Sequence, residues 1–297
     1  MPTLYTQAEK NVRKTYLLMF LFLVFIIGLG YIFSYSFNSP AILIVAVIFS
    51  LVMNVTSFWY SDKIALAVSG AHEIKPEDDP QLYHIVENLC ITAGLPVPKI
   101  YLMEESAINA FATGRDAAHA AIAVTRGAIQ KLNRSELEGV VAHELSHIGN
   151  RDILFMSVVM VLVGLVSLLS NWFLRFGLFG SRRSDDRGGG KEGAILAIVG
   201  FILSILSPLI ATLIQLAISR KREFLADADG ALLTRYPDGL ASALEKIKND
   251  QTPLRLANNA TAHLFIANPF KEKRISTLFM THPPIEERIK ILREMSV

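Results

Sequence analysis

The stretch Val141-Ala-His-Glu-Leu-Ser-His-Ile-Gly-Asn-Arg-Asp152 is followed directly by the apolar stretch Ile153-Leu-Phe-Met-Ser-Val-Val-Met-Val-Leu162. The first contains the pattern His-Glu-x-x-His, which places two histidines one turn apart on the same face of a helix. The second has the composition of a membrane-spanning segment. The order of the two stretches predicts a metal site beside a bilayer, and the rest of that site must come from elsewhere in the chain.

Apolar residues are concentrated in three charge-free runs of the 297-residue chain: Thr15–Ser61, Ile153–Leu174 and Gly193–Ser219. A helix needs about 20 apolar residues to cross the hydrocarbon core of a membrane. The first run is long enough for two spans, separated by a turn at Phe37-Asn-Ser-Pro40, so four transmembrane helices are predicted. The alternative is four buried helices of a large soluble core, although core helices of this length nearly always keep a charged face.

The basic residues predict which side of the membrane the polar segments face. Lys10, Arg13 and Lys14 precede the first span, whereas the first turn between spans is uncharged, so the N-terminus is predicted to be cytoplasmic. The basic loop 175–193 would then lie on the outside, although basic loops tend to lie on the cytoplasmic side. A signal peptide is the alternative for the first span, but its apolar part is longer than a signal peptide requires, which favours a retained anchor.

The overall composition also limits the partners of the chain. A formal net charge of +2 and the lack of any cluster of basic and aromatic residues argue against a polyanionic partner, so neither nucleic acid nor a nucleotide is expected to bind. The single cysteine, Cys90, excludes an internal disulfide. It lies in an apolar pattern with Ile85, Val86 and Leu89, which predicts a buried structural thiol.

Between the second and third spans the sequence predicts a helix and a small antiparallel sheet. Asp79–Cys90 has helical periodicity, and Val97–Met103 is typical of a strand. Asn109–Thr113 and Ala121–Thr125 are predicted to form a second pair of strands around a turn.

The helix that carries the histidines is predicted to begin at a capping box made by Ser135 and Glu138. Only Gly149 interrupts its pattern before Ile153, so the helix is predicted to continue directly into the third span. Further helices are predicted over 219–232, 239–248 and 284–294.

The residue types of the motif fit a hydrolytic zinc site. His143 and His147 can bind one zinc ion, and Glu144 points to the same region, where it can accept a proton from water. The alternative is two ordinary surface histidines. A catalytic zinc needs a third protein ligand. The extended pattern H-E-x-x-H-x-x-G-x-x-H is broken, since Gly149 comes one position early and Ile153 replaces the last histidine, so this ligand must be distant.

The best candidate for the third ligand lies in Ser219-Arg-Lys-Arg-Glu-Phe-Leu-Ala-Asp227. Glu223 and Asp227 are one turn apart on a predicted helix and therefore share a face. Glu223 can bind the metal while Asp227 accepts a hydrogen bond from a ligand histidine and fixes its tautomer. The alternative is a solvated surface, on which Arg220 or Arg222 pairs with both acids.

Together these features resemble a family of bacterial inner-membrane zinc metalloproteases, the peptidase family that also contains the CAAX prenyl proteases. The resemblance covers nearly the whole chain. Besides the two N-terminal spans it rests on Ile108-Asn-Ala-Phe-Ala-Thr-Gly114, on His143–His147 with Asn150 and Asp152, on Arg222-Glu-Phe-Leu-Ala-Asp227 and on Thr281-His-Pro-Pro284.

The resemblance implies that His143, His147 and Glu223 bind zinc and that Glu144 is the catalytic base. It also implies a cytoplasmic site that degrades damaged or misfolded membrane proteins under stress. The spacing of Glu223 and Asp227 is similar to that in thermolysin-like enzymes, where the aspartate orients the first histidine of the motif. Asp229 is an additional acidic residue that departs from the family pattern, and no role is predicted for it.

A substrate-binding strand is predicted at Asn109, Ala110, Phe111 and Ala112. These residues could form an exposed edge strand that pairs with an extended peptide, since main-chain pairing suits broad specificity. An interior strand is the alternative on sequence alone, and the resemblance favours the substrate-binding role.

His282 is predicted to stabilise the oxyanion of the tetrahedral intermediate by donating a hydrogen bond. The alternative is that it only precedes the last helix, ahead of Pro283.

These observations predict a mainly α membrane protein with four transmembrane helices and a cytoplasmic α+β, zincin-like (gluzincin) metalloprotease domain that contains a small antiparallel sheet. The predicted parts are a cytoplasmic tail (1–14), two spans (15–60), the first part of the catalytic domain (61–152), a transmembrane hairpin (153–218) and the second part of that domain (219–297). The predicted activity is that of an endopeptidase with one zinc ion per chain, in the inner membrane, acting on protein substrates.

Three other classes compete with this prediction. A catalytically silent, zinc-stabilised membrane adaptor would keep the ligands and lose the base, yet Glu144 is present. A transporter would carry ionisable residues within its spans, and these spans have none. An intramembrane protease would place the motif inside an apolar span, whereas Lys131, Arg134 and Glu138 precede it closely.

Overall fold

A computed structural model describes residues 4–180, 220–256, 261–267 and 283–295 of the chain. The helices are α1 (Leu4–Ser36), α2 (Pro40–Val68), α3 (Pro80–Ala93), α4 (Arg126–Lys131), α5 (Arg134–Gly149), α6 (Asp152–Gly180), α7 (Arg220–Thr234), α8 (Pro237–Asn249) and α9 (Ile285–Glu294). The strands are β1 (Ala71–Glu73), β2 (Lys99–Met103), β3 (Ala110–Gly114) and β4 (Ala120–Thr125). The described part of the chain is thus mostly helical, with a small sheet, and the helices predicted at Asp79–Cys90, 219–232, 239–248 and 284–294 are confirmed there.

Three of the described helices are long and apolar enough to cross a membrane: Ala8–Ser36, Pro40–Val68 and Asp152–Leu169. They correspond to the first three predicted spans. The fourth, predicted within 193–219, lies outside the described residues, as does most of the loop 175–193. The predicted tail 1–14 is helical from Leu4 onward, because α1 continues through it.

The three membrane helices differ in how much of their surface is covered. Each helix contains an apolar stretch of 18 residues. Only 22% of this stretch is buried in α1 and 17% in α2, whereas 67% is buried in α6. Since α6 packs on both α1 and α2 and also on β3, it is the inner helix of this group. It therefore connects the membrane helices with the sheet.

Within the described residues one sheet forms, with the strand order β1-β2-β4-β3. The predicted hairpin of β3 and β4 is confirmed, with Ala110 opposite Val124 and Thr113 opposite Ala121. The prediction of an antiparallel sheet is wrong for β2 and β4, which pair in parallel. The hairpin turns β3 to the outer edge of the sheet, so β4 adjoins β2 and runs in the same direction.

Alternate residues of the sheet pack on different layers, as expected from a period of two. Ala112, Ile122 and Val124 belong to the core shared with α3 and α5. Phe111 and Ala123 belong to a second core that contains residues of α2 and α6. The sheet is therefore enclosed between its own helices on one face and membrane helices on the other, which explains why β4 is buried throughout.

Helix α5 begins two residues earlier than predicted. Asn133 is the N-cap: its side chain accepts from the main-chain N–H of Glu136 at 2.9 Å, and the Glu136 carboxylate accepts from the N–H of Asn133 at 2.7 Å. The predicted capping box of Ser135 and Glu138 is wrong, because Glu138 instead pairs with Arg134. An asparagine satisfies the first amides of a helix as well as a serine does.

The continuous helix predicted from α5 into the third span is also wrong. Helix α5 ends at Gly149, and α6 starts at Asp152. Arg151 adopts the left-handed region with φ +54°, so the chain changes direction between the two helices. As a result Asp152, the first residue of α6, turns back toward the side chains of α5.

Candidate metal centre

Three buried side chains converge at the interface of α5 and α7. His143 and His147 lie one turn apart on α5, and their Nε2 atoms are 3.2 Å from each other. Glu223 on α7 approaches both, with 3.8 Å from Oε2 to His143 Nε2 and 3.6 Å from Oε1 to His147 Nε2. One ligand atom of each residue lies within 4.8 Å of the others. The structure thus brings together the three residues that the sequence selected.

The close approach of α7 to α5 depends on a glycine. A Cβ added at Gly230 would lie 3.1 Å from the main-chain nitrogen of His143. A side chain there would make this contact tighter than almost all natural Cβ contacts, so the two helices would have to shift slightly. Gly230 therefore allows Glu223, two turns earlier on the same helix, to reach the histidines.

The donor set and its spacing fit a zinc ion. Zinc prefers tetrahedral sites with nitrogen ligands at about 2.0–2.1 Å, which places two such nitrogens about 3.3 Å apart. The observed separation of 3.2 Å between the two Nε2 atoms agrees with this value. Two imidazoles and one carboxylate are also the ligand set of thermolysin-type zinc sites, in which a fourth position stays open.

His143 is oriented by a carboxylate from α7. Its Nδ1–H donates to Asp227 Oδ1 at 2.9 Å, which leaves Nε2 with its lone pair directed toward Glu223. Asp227 in turn accepts two hydrogen bonds from Arg288, at 2.8 Å from Nε and 2.7 Å from Nη2. Burial alone would raise the pKa of Asp227, but the charge and hydrogen bonds of Arg288 hold it down at about 2.

Arg288 reaches this position from α9 and is itself fully buried. Besides Asp227 it contacts Glu223, with 3.6 Å between Nη1 and Oε2, and it donates to the main-chain oxygen of Ile266. Burial would lower the pKa of its guanidinium, but the two acids raise it above the ordinary value. Arg288 therefore supplies the positive charge that balances the acids behind the site.

His147 is oriented by a different carboxylate. Its Nδ1–H donates to Asp152 Oδ2 at 3.0 Å, again leaving Nε2 directed toward Glu223. Arg222 lies beside this carboxylate, with 3.1 Å between Nη1 and Asp152 Oδ1. Burial by itself would lower the pKa of His147, but the hydrogen bond to Asp152 and the charge of Glu223 raise it to about 9.

Glu144 lies between the motif histidines and the edge of the sheet, and it is buried. Burial raises the pKa of its carboxyl, while the neighbouring histidines act in the opposite direction. The main-chain N–H of Ala112 donates to this carboxylate. The potential base is thus in direct contact with strand β3.

Strand β3 is at the edge of the sheet, as predicted for Asn109–Ala112. The predicted exposure of this strand is wrong, because all of its residues are buried. The main-chain groups of Asn109 pair with Thr125 of β4, so by alternation those of Ala110 and Ala112 face away from the sheet. The oxygen of Ala110 already accepts from the N–H of Ile266. The outward-facing groups that adjoin Glu144 are therefore those of Ala112, and the side chain of Phe111 points into the core.

Several residues of the centre were not assigned by sequence reasoning. Asp152 follows the motif closely, but a continuous helix would direct it away from His147, so only the turn at Arg151 reveals its contact. Arg288 is distant in sequence and carries no local signal. Asp229, which had no predicted role, accepts hydrogen bonds from Ser146 and Asn150 and joins the end of α5 to α7. His282 lies outside the described residues.

The chain is similar to known proteases over nearly its whole length. A family model described as "Peptidase family M48" matches residues 76–296. A protein named "Protease HtpX homolog" from Caldanaerobacter subterraneus subsp. tengcongensis is 50% identical over 299 residues, covering 99% of each chain. One of the same name from Dictyoglomus turgidum is 44% identical over 295 residues, covering 99% of this chain and 95% of the other. A solved structure, that of S. mikatae Ste24p, aligns with a TM-score of 0.47 and 20% identity over 94% of this chain and 65% of that chain.

Proposed function

The chain belongs to peptidase family M48 and is a membrane-bound metalloprotease, and from this premise we propose that it is a zinc-dependent endopeptidase of the bacterial inner membrane. It acts on protein substrates. We assign the bound metal as one zinc ion, held by His143, His147 and Glu223, and we place the site on the cytoplasmic side. The catalytic part is built from residues 61–152 and 219–297.

One observation carries this proposal: three ligand side chains converge within 4.8 Å at a place where a fourth, Glu144, remains outside the ligand set. Both histidines have their Nδ1 atoms occupied by carboxylates, so both turn Nε2 toward Glu223 as the atom that would bind zinc. A structural site with four protein ligands would leave no position for water. The arrangement therefore supports catalysis.

Zinc bound at such a site activates a water molecule and polarises the scissile carbonyl. Glu144 then acts as general base: it takes a proton from the attacking water and returns it to the nitrogen of the leaving amine. The Glu144 carboxyl holds the proton between these two steps. Asp227 and Asp152 keep the two imidazoles in the tautomer that this role needs.

The edge strand supports a main-chain mode of substrate binding. A peptide laid against β3 can donate to the outward-facing main-chain oxygen of Ala112, whose N–H donates to Glu144. Pairing through the main chain does not depend on particular side chains of the substrate. This suits an enzyme that removes damaged or misfolded membrane proteins under stress. His282 is the proposed oxyanion donor.

The decisive test compares Glu144→Gln with the wild type and with Glu138→Gln as a matched control on the same helix. Glu144→Gln should retain one zinc ion per chain and its thermal unfolding temperature, but should lose cleavage of an unfolded protein substrate by at least about a thousandfold. Glu138→Gln should cleave like the wild type, because Glu138 only pairs with Arg134. Substantial cleavage by purified, zinc-loaded Glu144→Gln would refute the assigned base.

A further inference from the structure

The first membrane helix contributes a side chain to the surroundings of the metal centre. Asn11 on α1 is only 2% exposed. Its Nδ2 donates to the main-chain oxygen of Asn150 at 2.9 Å and to Asp152 Oδ1 at 2.5 Å. Both acceptors lie at the turn between α5 and α6. Asn11 therefore holds the segment that carries Asp152 against the N-terminal helix.

The contact with Asp152 continues to a metal ligand. The two oxygens of this carboxylate are divided between partners: Oδ1 faces Asn11, and Oδ2 accepts from His147 Nδ1 at 3.0 Å. A carboxylate whose two oxygens both accept hydrogen bonds is held in one orientation. Because such outer partners set the orientation of a ligand imidazole, the orientation of His147 depends on where Asn11 holds Asp152.

The chemical nature of Asn11 suits this position. An amide nitrogen offers two donors and no charge, so it can bind the carbonyl of Asn150 and the carboxylate of Asp152 together. The countercharge comes instead from Arg222, whose Nη1 is 3.1 Å from the same carboxylate oxygen. A lysine or arginine at position 11 would pair with the carboxylate strongly and compete with His147 for it.

We propose that Asn11 is a positioning residue for the zinc ligand His147, acting through Asp152, so that the first membrane helix is a structural part of the metal centre. This inference rests on the proposed zinc site. It predicts that the packing of α1 against α6 influences how tightly the metal is held. Asn11 touches neither substrate nor metal and has no direct part in the chemistry.

The test uses the full-length protein in detergent and measures zinc affinity by competition with a chromophoric chelator. Asn11→Leu keeps the size of the side chain and removes both hydrogen bonds. It should weaken zinc binding by about three- to tenfold, less than the roughly 10- to 100-fold expected for loss of a direct partner of a ligand histidine. The matched control is Thr15→Val, one turn along the same buried face, whose hydroxyl bonds only to the main-chain oxygen of Asn11. It should change the affinity less than twofold.

A merely structural role for Asn11 is separated from positioning by a double-mutant cycle. In an Asp152→Asn background, Asn11→Leu should have little further effect on zinc affinity, because the group through which it acts is already altered. Thermal unfolding of the metal-free variants checks that each one folds. An equal fold-loss in both backgrounds, or a loss no larger than that of Thr15→Val, overturns the proposal. Failure of the wild type to bind zinc would instead overturn the proposed function.

Discussion

The two histidines of the proposed zinc site lie one turn apart on the same helix, yet they are supported from different parts of the molecule. His143 is held by Asp227 and Arg288, which belong to α7 and α9 in the C-terminal part of the chain. His147 is held by Asp152, the first residue of membrane helix α6, and through it by Asn11 of α1. The site is thus assembled at the boundary between the polar and the membrane-spanning parts.

This difference shows why the catalytic part cannot be regarded as a separate soluble unit. The sheet that carries the edge strand packs on α2 and α6 through Phe111 and Ala123. Thr113 of the edge strand also shares a hydrogen bond of 2.7 Å with Ser157 of α6. A single membrane helix therefore positions both a ligand histidine, through Asp152, and the strand proposed to bind substrate.

The largest effect is expected on the His143 side, from the substitution Arg288→Met. This change removes a fully buried positive charge. It leaves the Asp227 carboxylate buried beside Glu223 without the guanidinium that balances its charge. Loss of one partner of a buried ion pair costs about 3–5 kcal/mol, so we expect a destabilisation of that size in chemical unfolding of the metal-free protein. Arg293→Met is the control on the same helix. It alters an exposed pair with Asp238 and should cost less than about 1 kcal/mol.

Acid unfolding provides a second measurement on the same variant. In the wild type the pKa of Asp227 is lowered from 3.8 to about 2. A lowered pKa means that Asp227 stabilises the fold above the unfolded-state value, and that this stability is lost as the pH falls from about 4 toward 2. Without Arg288 burial raises this pKa, so the stability that Asp227 loses between about pH 4 and 2 in the wild type should be missing from the variant, whose unfolding free energy should fall less steeply over that range. Identical acid profiles for the two proteins would contradict the assigned ion pair.

The second prediction compares the two orienting carboxylates directly. Asp227→Asn and Asp152→Asn should each weaken zinc binding by about 10- to 100-fold, because each keeps the side-chain shape and weakens the acceptor for one histidine. Their effects on stability should differ. Asp227→Asn also weakens the two hydrogen bonds that Arg288 donates to Asp227, whereas Arg222 contacts Asp152 through a single nitrogen, 3.1 Å from Oδ1.

Zinc affinity and the unfolding free energy of the metal-free protein, measured for both variants, check this comparison. Asp227→Asn should lower both quantities, and Asp152→Asn should lower mainly the affinity. Equal losses of stability would show that the two supports are equivalent, and the contrast between the two sides of the site would then not hold.

Apart from Arg288, the His143 side was predictable from the sequence, while most of the His147 side was not. Glu223 and Asp227 share a helix face, and the histidine motif needs a third ligand, so the spacing and the motif together select this pair. Asp152 depends on a turn at Arg151 that no proline announces, and Asn11 contacts it across the whole first part of the chain. The parallel pairing of β2 with β4 was missed for a similar reason, since strand order is set by tertiary packing rather than by local pattern.

The smallest effect is expected at Ser146, which lies between Glu144 and His147 in sequence but faces the other way. Its hydroxyl donates to Asp229 Oδ2 at 2.9 Å, and Asn150 donates to the same oxygen. Ser146→Ala removes one of these two bonds and should cost about 1 kcal/mol of unfolding free energy. Zinc affinity should stay within about twofold of the wild type, because the contact of His147 with Asp152 is untouched. If Ser146→Ala weakened zinc binding as much as Asp152→Asn does, the end of helix α5, and not the first residue of α6, would be what orients His147.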